Sequence, residues 1–281
     1  MSSEESTRPA AIARLAALPI WPGAPRIAAI AGGRTNENFR VEAGGRSFFA
    51  RLGVDLPHHG IRRANELRCA RLAAEAGVAP EVVHAGDGVM VTAFVAGRTL
   101  VQGEPVADDV LRRLAQALRA LAARPAPADL NVFDPVAVGR RDLAALTDGA
   151  LPAARRARAA AILDGAPRLA TTALIHADLI PENVIVSDTG LALVDWEYAG
   201  RGDPVVDVAS VVLHFGLPAH QAAMFVATHG AADPATVAAL QPVLALREAL
   251  WCEVQQRHAG LRGDLADYTE MCWRRLDRVA P

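Results

Sequence analysis

Apolar residues recur along this chain with two different periods, and the change falls near residue 100. In the first part they come in short runs, such as "RIAAI" and "RSFFARL", separated by the turn-forming segments "AGGRTNEN" and "EAGG". Short apolar runs bounded by glycine and asparagine predict strands, here near 26–31, 38–42 and 46–52, joined as a meander. In "IRRANELRCARLAAEAGV" the residues Ile61, Ala64, Leu67 and Leu72 return at mostly helical spacing, and Gly77 closes the segment. "EVVHAG" and "VMVTAFVAG" then predict two more strands, with a turn at Asp87 and Gly88.

From Asp108 the texture is helical. "DDVLRRLAQALRALAA" sets Val110, Leu111, Leu114, Leu118 and Leu121 on one face, and a proline-rich connection follows at "RPAPADLNVFDP". Further helices are predicted near 138–147, 152–164, 204–214, 218–229, 234–260 and 263–278. The strand-like exception is "LIHADLIPENVIVSDTGLALVDWEYAGRGDP", Leu174 to Pro204. The pattern predicts an α+β chain in two units. Residues 1–95 hold a small antiparallel sheet with one helix, and 96–281 are mostly helical.

Composition narrows the class. With 281 residues, 52% of them hydrophobic, the chain can bury one sizeable core or two modest ones. A net charge of −2 gives no electrostatic case for nucleic acid or an anionic membrane as partner. No apolar run approaches the roughly 20 residues that span a bilayer. The opening "MSSEESTRPA" lacks the pattern of a secretory signal, so a cytoplasmic location is expected. Cys69, Cys252 and Cys272 share no ligand-like spacing and read as buried thiols. The sequence contains no lysine, so every side-chain cation is arginine or protonated histidine.

The chemistry lies in the strand-like exception. "VIV" and "LALV" flank the turn residues "SDTG", which predicts an antiparallel hairpin. If Val186 faces Leu191, then Val184 faces Leu193, and Asn183 lies beside Val194 and Asp195. Asp178 sits five residues before Asn183. Three oxygen-bearing side chains thus converge at one hairpin end, a set that suits Mg²⁺, with phosphate and water filling the remaining positions. The spacing His176-x-Asp178-x₄-Asn183 is the catalytic-loop pattern of kinase-like phosphotransferases.

"HADLIPEN" followed by "LVDWEYAGRGDPVVDVAS" resembles the choline/ethanolamine kinase and aminoglycoside phosphotransferase superfamily, and in particular its bacterial choline-kinase-like branch. The likeness extends to "AGGRTNENFRV", "RRANELRCARLAAEAGVAPEVV" and "EALWCEVQQRHAGLRGDLADYTEMCWRRL". It implies a two-lobed protein-kinase-like fold that binds ATP and Mg²⁺ between its lobes. On that resemblance, Asp178 is the base that takes the substrate hydroxyl's proton, and Asn183 and Asp195 hold the metal. Glu197 faces either the metal or the substrate, His176 is a structural loop residue, and Asp207 hydrogen-bonds the catalytic loop.

The same resemblance implies that Thr35, Asn36 and Asn38 cover the phosphates. Arg51 takes the place of the phosphate-gripping lysine, and Glu66 is its helix partner. The backbone of Ala93 to Val95 forms the hinge for adenine. Trp251, Tyr268 and Trp273 fall where the family keeps choline-cage aromatics, which attract a quaternary ammonium by cation–π interaction. Glu248 departs from the family, whose eukaryotic members commonly have tryptophan there, and a carboxylate would favour a primary ammonium or a polyol amine over trimethylammonium. The implied activity is ATP-dependent phosphorylation of a small amino alcohol, choline before ethanolamine. Other acceptors considered are thiamine, an aminoglycoside and homoserine. A catalytically inactive nucleotide-binding relative is the reading from another class.

Overall fold

In a computed structural model, five antiparallel strands form the N-terminal sheet. The residues described are 3–30, 36–147, 149–188, 190–230, 232–259 and 263–280. An opening helix α1 (Ser3–Ala16) precedes β1 (Arg26–Ile30), β2 (Glu37–Ala43) and β3 (Arg46–Leu52). Helix α2 (Arg63–Glu75) is inserted before β4 (Val82–Gly86) and β5 (Val89–Ala93), and the sheet order is β1-β2-β3-β5-β4. The strands agree with the sequence pattern to within a residue or two.

Helix α1 is an addition that the apolar pattern does not predict. Among its residues 8–16, Ala11 and Leu15 are buried and pack with Phe39, Val41, Phe48 and Ala50 of the sheet. Trp21 closes this small core: its indole N–H donates to the Leu15 carbonyl at 2.7 Å, and its ring lies 5.3 Å from Phe48. Two buried residues within the alanine-rich stretch 8–16 are too narrow a face to register as amphipathic.

Helix α2 stops where the sequence places its terminator. Gly77 adopts φ +75°, and the N–H groups of Gly77 and Val78 return to the carbonyls of Ala74 and Ala73. A left-handed residue with these two bonds is a Schellman end, which glycine adopts without Cβ strain. Cys69, Ala70 and Ala73 of α2 belong to the larger core of the helical part, so this helix ties the sheet to the helical lobe.

The remaining elements are β6 (Arg98–Thr99), α3 (Asp108–Ala122), α4 (Pro135–Ala145), α5 (Ala153–Asp164) and β7 (Ala173–Ile175). Then come β8 (Val184–Ser187), β9 (Gly190–Leu193), β10 (Gly200–Gly202), α6 (Pro204–His214), α7 (Ala219–His229), α8 (Pro234–Ala259) and α9 (Gly263–Val279). Helix α4 begins before the predicted 138, because Asp134 caps the Val136 N–H at 2.8 Å and Pro135 takes the first helical position. Asp203 and Pro204 start α6 in the same way. From Val205 to His214 every residue of α6 is buried, so it is the central post of this lobe. Strand β6 lies outside the single strand-like stretch expected in this half; it pairs with β8 and extends the hairpin to three strands.

Candidate active site

The β8–β9 hairpin has the register expected from its turn. Val184 pairs with Leu193 and Val186 with Leu191, and the Val194 N–H donates to the Asn183 carbonyl at 3.0 Å. Asn183 and Asp195 therefore flank one end of the ladder. The Asn183 amide donates to the Asp178 carbonyl at 2.9 Å, which fixes the catalytic loop and turns the Asn183 carbonyl oxygen the other way.

Asp207, on the first turn of α6, holds the other side of the loop. Its two carboxylate oxygens accept the N–H groups of His176 and Ala177, each at 2.8 Å. Burial pushes its carboxyl up to about 7, against the pull of those two bonds. Ala177 has φ +66°, a left-handed conformation costing of the order of 1–3 kcal/mol for a residue with a side chain. The bonds from Asp207 are what hold it there. His176 is fully buried, bonds the Val194 carbonyl at 2.9 Å and packs 4.5 Å from Trp196. It holds the loop against the hairpin, in keeping with a structural histidine.

Asp195 also adopts φ +66°, and 40% of its side chain is exposed toward a cavity of ≈ 780 Å³ shared with Asp178 and Asn183. Its carboxyl is raised well above the ordinary aspartate range by desolvation and then by nearby Glu197, with Arg51 opposing. A carboxylate held among like charges at the edge of a cleft favours a cation. With the Asn183 oxygen it offers two hard oxygen donors. Among the described residues no three His, Cys, Asp or Glu side chains form a metal cage. Two oxygens and no cage fit Mg²⁺ held jointly with phosphate.

The sheet contributes a chain of buried charges. Arg51 on β3 forms an ion pair with Glu66 of α2 and lies 3.4 Å from Asp195. Glu66 also pairs with Arg63 at 2.8 Å, and Arg63 reaches Glu197 at 3.1 Å. The Asn36 amide donates to the same Glu197 at 3.1 Å. Glu197 is thus held between Asn36, just before β2, and Arg63 of α2, and it lines the cavity. Arg63, absent from the sequence-based set, is the connecting cation. Asn38 stands opposite Arg51 on the neighbouring strand, and both line the cavity with Asn36, Ala93 and Val95. Thr35 lies outside the described residues.

Tyr198, Trp251 and Tyr268 line the other end of the cavity. Trp273 does not; its indole N–H bonds Glu253 at 2.9 Å and its ring carries Arg155, so it belongs to the packing of α9. Glu248 faces the cavity but is already engaged. It accepts the Tyr268 hydroxyl at 2.5 Å and forms an ion pair with Arg275. Burial works against its charge, yet His214, Arg275 and Tyr268 hold its carboxyl below the usual range. Sequence reasoning also missed Arg247. It donates to the Asp178 carboxylate at 3.0 Å while its guanidinium lies 4.5 Å from the Tyr198 ring centre and 5.4 Å from that of Phe133. The available signal was a single arginine inside the apolar run "VLALREALW", since a buried charge needs a partner.

His59, in the turn before α2, stacks on Trp251 at 4.9 Å and donates through Nε2 to Gln255 at 2.5 Å. Its Nδ1 is buried without a partner. Burial lowers its pKa from 6.5 to about 4, the Gln255 bond opposes, and His58, Arg141 and Arg247 lower it further. The folded pKa lies below the unfolded one, so this stabilisation is complete above pH 6.5 and is lost as pH falls toward 4. The loss reaches at most about 3 kcal/mol. His59→Gln is expected to flatten the fall in urea midpoint between about pH 7 and 5. An unchanged slope would assign the acid sensitivity to other histidines.

A five-stranded sheet with a buried Arg–Glu pair, set over a helical lobe that carries this loop and hairpin, defines a kinase-like phosphotransferase. Residues 26–240 match the phosphotransferase enzyme family, and the chain belongs to that family. It superposes on a choline/ethanolamine kinase family protein of Mesorhizobium loti with a TM-score of 0.74, at 28% identity, covering 97% of this chain and 94% of the other. The fold is shared with choline kinase LicA of Streptococcus pneumoniae (TM-score 0.75, 18% identity, 99% and 100% of the two chains). Protein LicA of Haemophilus influenzae is 46% identical over 37 residues, a match spanning only 13% of this chain and 14% of that protein. What these comparisons support for the chain is a phosphotransferase of choline/ethanolamine-kinase-like type. No helix among the described residues is long and apolar enough to cross a membrane.

Proposed function

We propose that this chain phosphorylates the hydroxyl of a small amino alcohol, using ATP and Mg²⁺ bound between the lobes 1–95 and 96–281. The observation that carries this reading is the placing of Asp178, Asn183, Asp195 and Arg51 on one cavity. Asp178 accepts the hydroxyl proton as the oxygen–phosphorus bond forms and the bond to ADP breaks. Asn183 and Asp195 hold Mg²⁺, which when bound neutralises phosphate charge. Arg51, fixed by Glu66, grips the phosphates, and Asn36 and Asn38 lie beside them. The Ala93 N–H is used by the Glu81 carbonyl at 2.9 Å, so the adenine contact at the hinge falls on the Ala93 carbonyl and on Val95. Glu197 braces the two lobes through Asn36 and Arg63.

Trp251 and Tyr268 support a cationic acceptor, and on ring faces alone choline precedes ethanolamine. The direct test is ADP release with Mg²⁺-ATP over choline, ethanolamine, thiamine, kanamycin and homoserine. Turnover is expected on the amino alcohols. Turnover only on thiamine or kanamycin would keep the chemistry and move the acceptor class. Nucleotide binding with no turnover on any compound would favour the inactive relative.

A further inference from the structure

The ring faces are one part of the acceptor end; its charges are the other. Two of the carboxylates that line the cavity, Asp178 and Glu248, already have an arginine. Arg247 donates to Asp178 at 3.0 Å, and Arg275 pairs with Glu248. Arg275 also lies 3.0 Å from His214 Nδ1. A cationic acceptor therefore meets both carboxylates already compensated.

Among the charged side chains described on this cavity, Arg247 has a buried donor left over. It is more than nine-tenths buried, lines the cavity, and has five N–H donors to place. One nitrogen serves Asp178, while Nε is buried without a partner. Tyr198 and Phe133 hold the guanidinium between them, so it stays beside the reacting oxygen of Asp178. A fixed and incompletely satisfied guanidinium next to the catalytic carboxylate attracts an anion.

We propose that Arg247 is a specificity-determining residue and that the preferred acceptor is an amino alcohol that also carries a carboxylate. The inference rests on the phosphotransferase reading of the site and names the acceptor class within it. In such a molecule the ammonium meets the aromatic walls, the carboxylate meets Arg247, and the hydroxyl is left for Asp178. The molecule is neutral overall, as is the pair of ion pairs that receives it.

The experiment compares matched pairs differing only by a carboxylate: serine against ethanolamine, and homoserine against 3-amino-1-propanol. Affinity is measured by calorimetry with Mg²⁺ and a non-hydrolysable ATP analogue present, and turnover by ADP release. The carboxylated member is expected to bind about tenfold more tightly or better, the scale of one charge-assisted hydrogen bond. Arg247→Met should bring the ratio to about one or below, and Arg247→Lys should keep a preference. Loss of mere packing would weaken both members of a pair alike and leave the ratio unmoved.

A wild-type ratio at or below one, no binding of the carboxylated members, or a ratio unchanged in Arg247→Met overturns the proposal. If Arg247→Met does not fold, the wild-type ratio and Arg247→Lys still decide. Preferential binding without any turnover supports the inference and sinks the proposed reaction instead, so the two failures are told apart.

Discussion

Asp178→Asn is expected to lower kcat by about 10²- to 10⁴-fold, the range that a positioned general base contributes. Nucleotide affinity should change little, because Asp178 lies at the acceptor end and the phosphate grip is assigned to Arg51. Asparagine keeps an oxygen for Arg247 to bond but cannot take the hydroxyl proton. Arg247 then loses its 3.0 Å anionic partner while still buried, so some thermal stability should go as well. ADP release at saturating acceptor measures the first effect, and titration with a fluorescent nucleotide the second. A kcat within about tenfold of the unmutated protein would remove Asp178 from the role of base.

The second large effect is expected on stability. Glu66 is fully buried and balances both Arg51 and Arg63. Glu66→Ala leaves two buried guanidinium groups with weaker partners, Asp195 at 3.4 Å and Glu197 at 3.1 Å. Removing one member of a buried ion pair costs about 3–5 kcal/mol, chiefly through the uncompensated charge left behind. Urea unfolding should show that loss, and ATP affinity should fall because Arg51 is no longer fixed. Adding Arg51→Met to Glu66→Ala should recover part of the stability, since removing both charges is cheaper than removing one. A loss under about 1 kcal/mol, with no recovery in the double variant, would mean that the pair is solvated.

What was legible in the sequence was local. Turn chemistry at "SDTG" and the alternating runs around it set the hairpin register, because a two-residue strand period admits one pairing that keeps Val184 and Leu193 inside. That register brought Asn183 beside Asp195 without any long-range information. The end of α2 at Gly77 is equally local, since few residues other than glycine adopt its left-handed backbone without strain. Arg51 and Glu66 were paired by resemblance, and the structure has them in contact. Asp207 bonds the loop, as the resemblance implied.

The acceptor end was read less well. Trp273 has the residue type of a cage and the position of a core side chain, a distinction that depends on which way α9 faces. Glu248 looked like a free carboxylate until Arg275, 27 residues away, was found on it.

The sequence by itself determined the identity and spacing of the candidate site residues and the elements that carry them, because strand and helix periods and turn residues act within a few positions of the chain. Only the tertiary structure decided the charge partners: Arg247 for Asp178 across 69 residues, and Arg63 for Glu197 across 134. The physical reason is that burial obliges a charge to find a counter-charge but does not say which one. That choice follows from how α2 and α8 pack against the hairpin, and it is what fixes the electrostatics of the acceptor pocket.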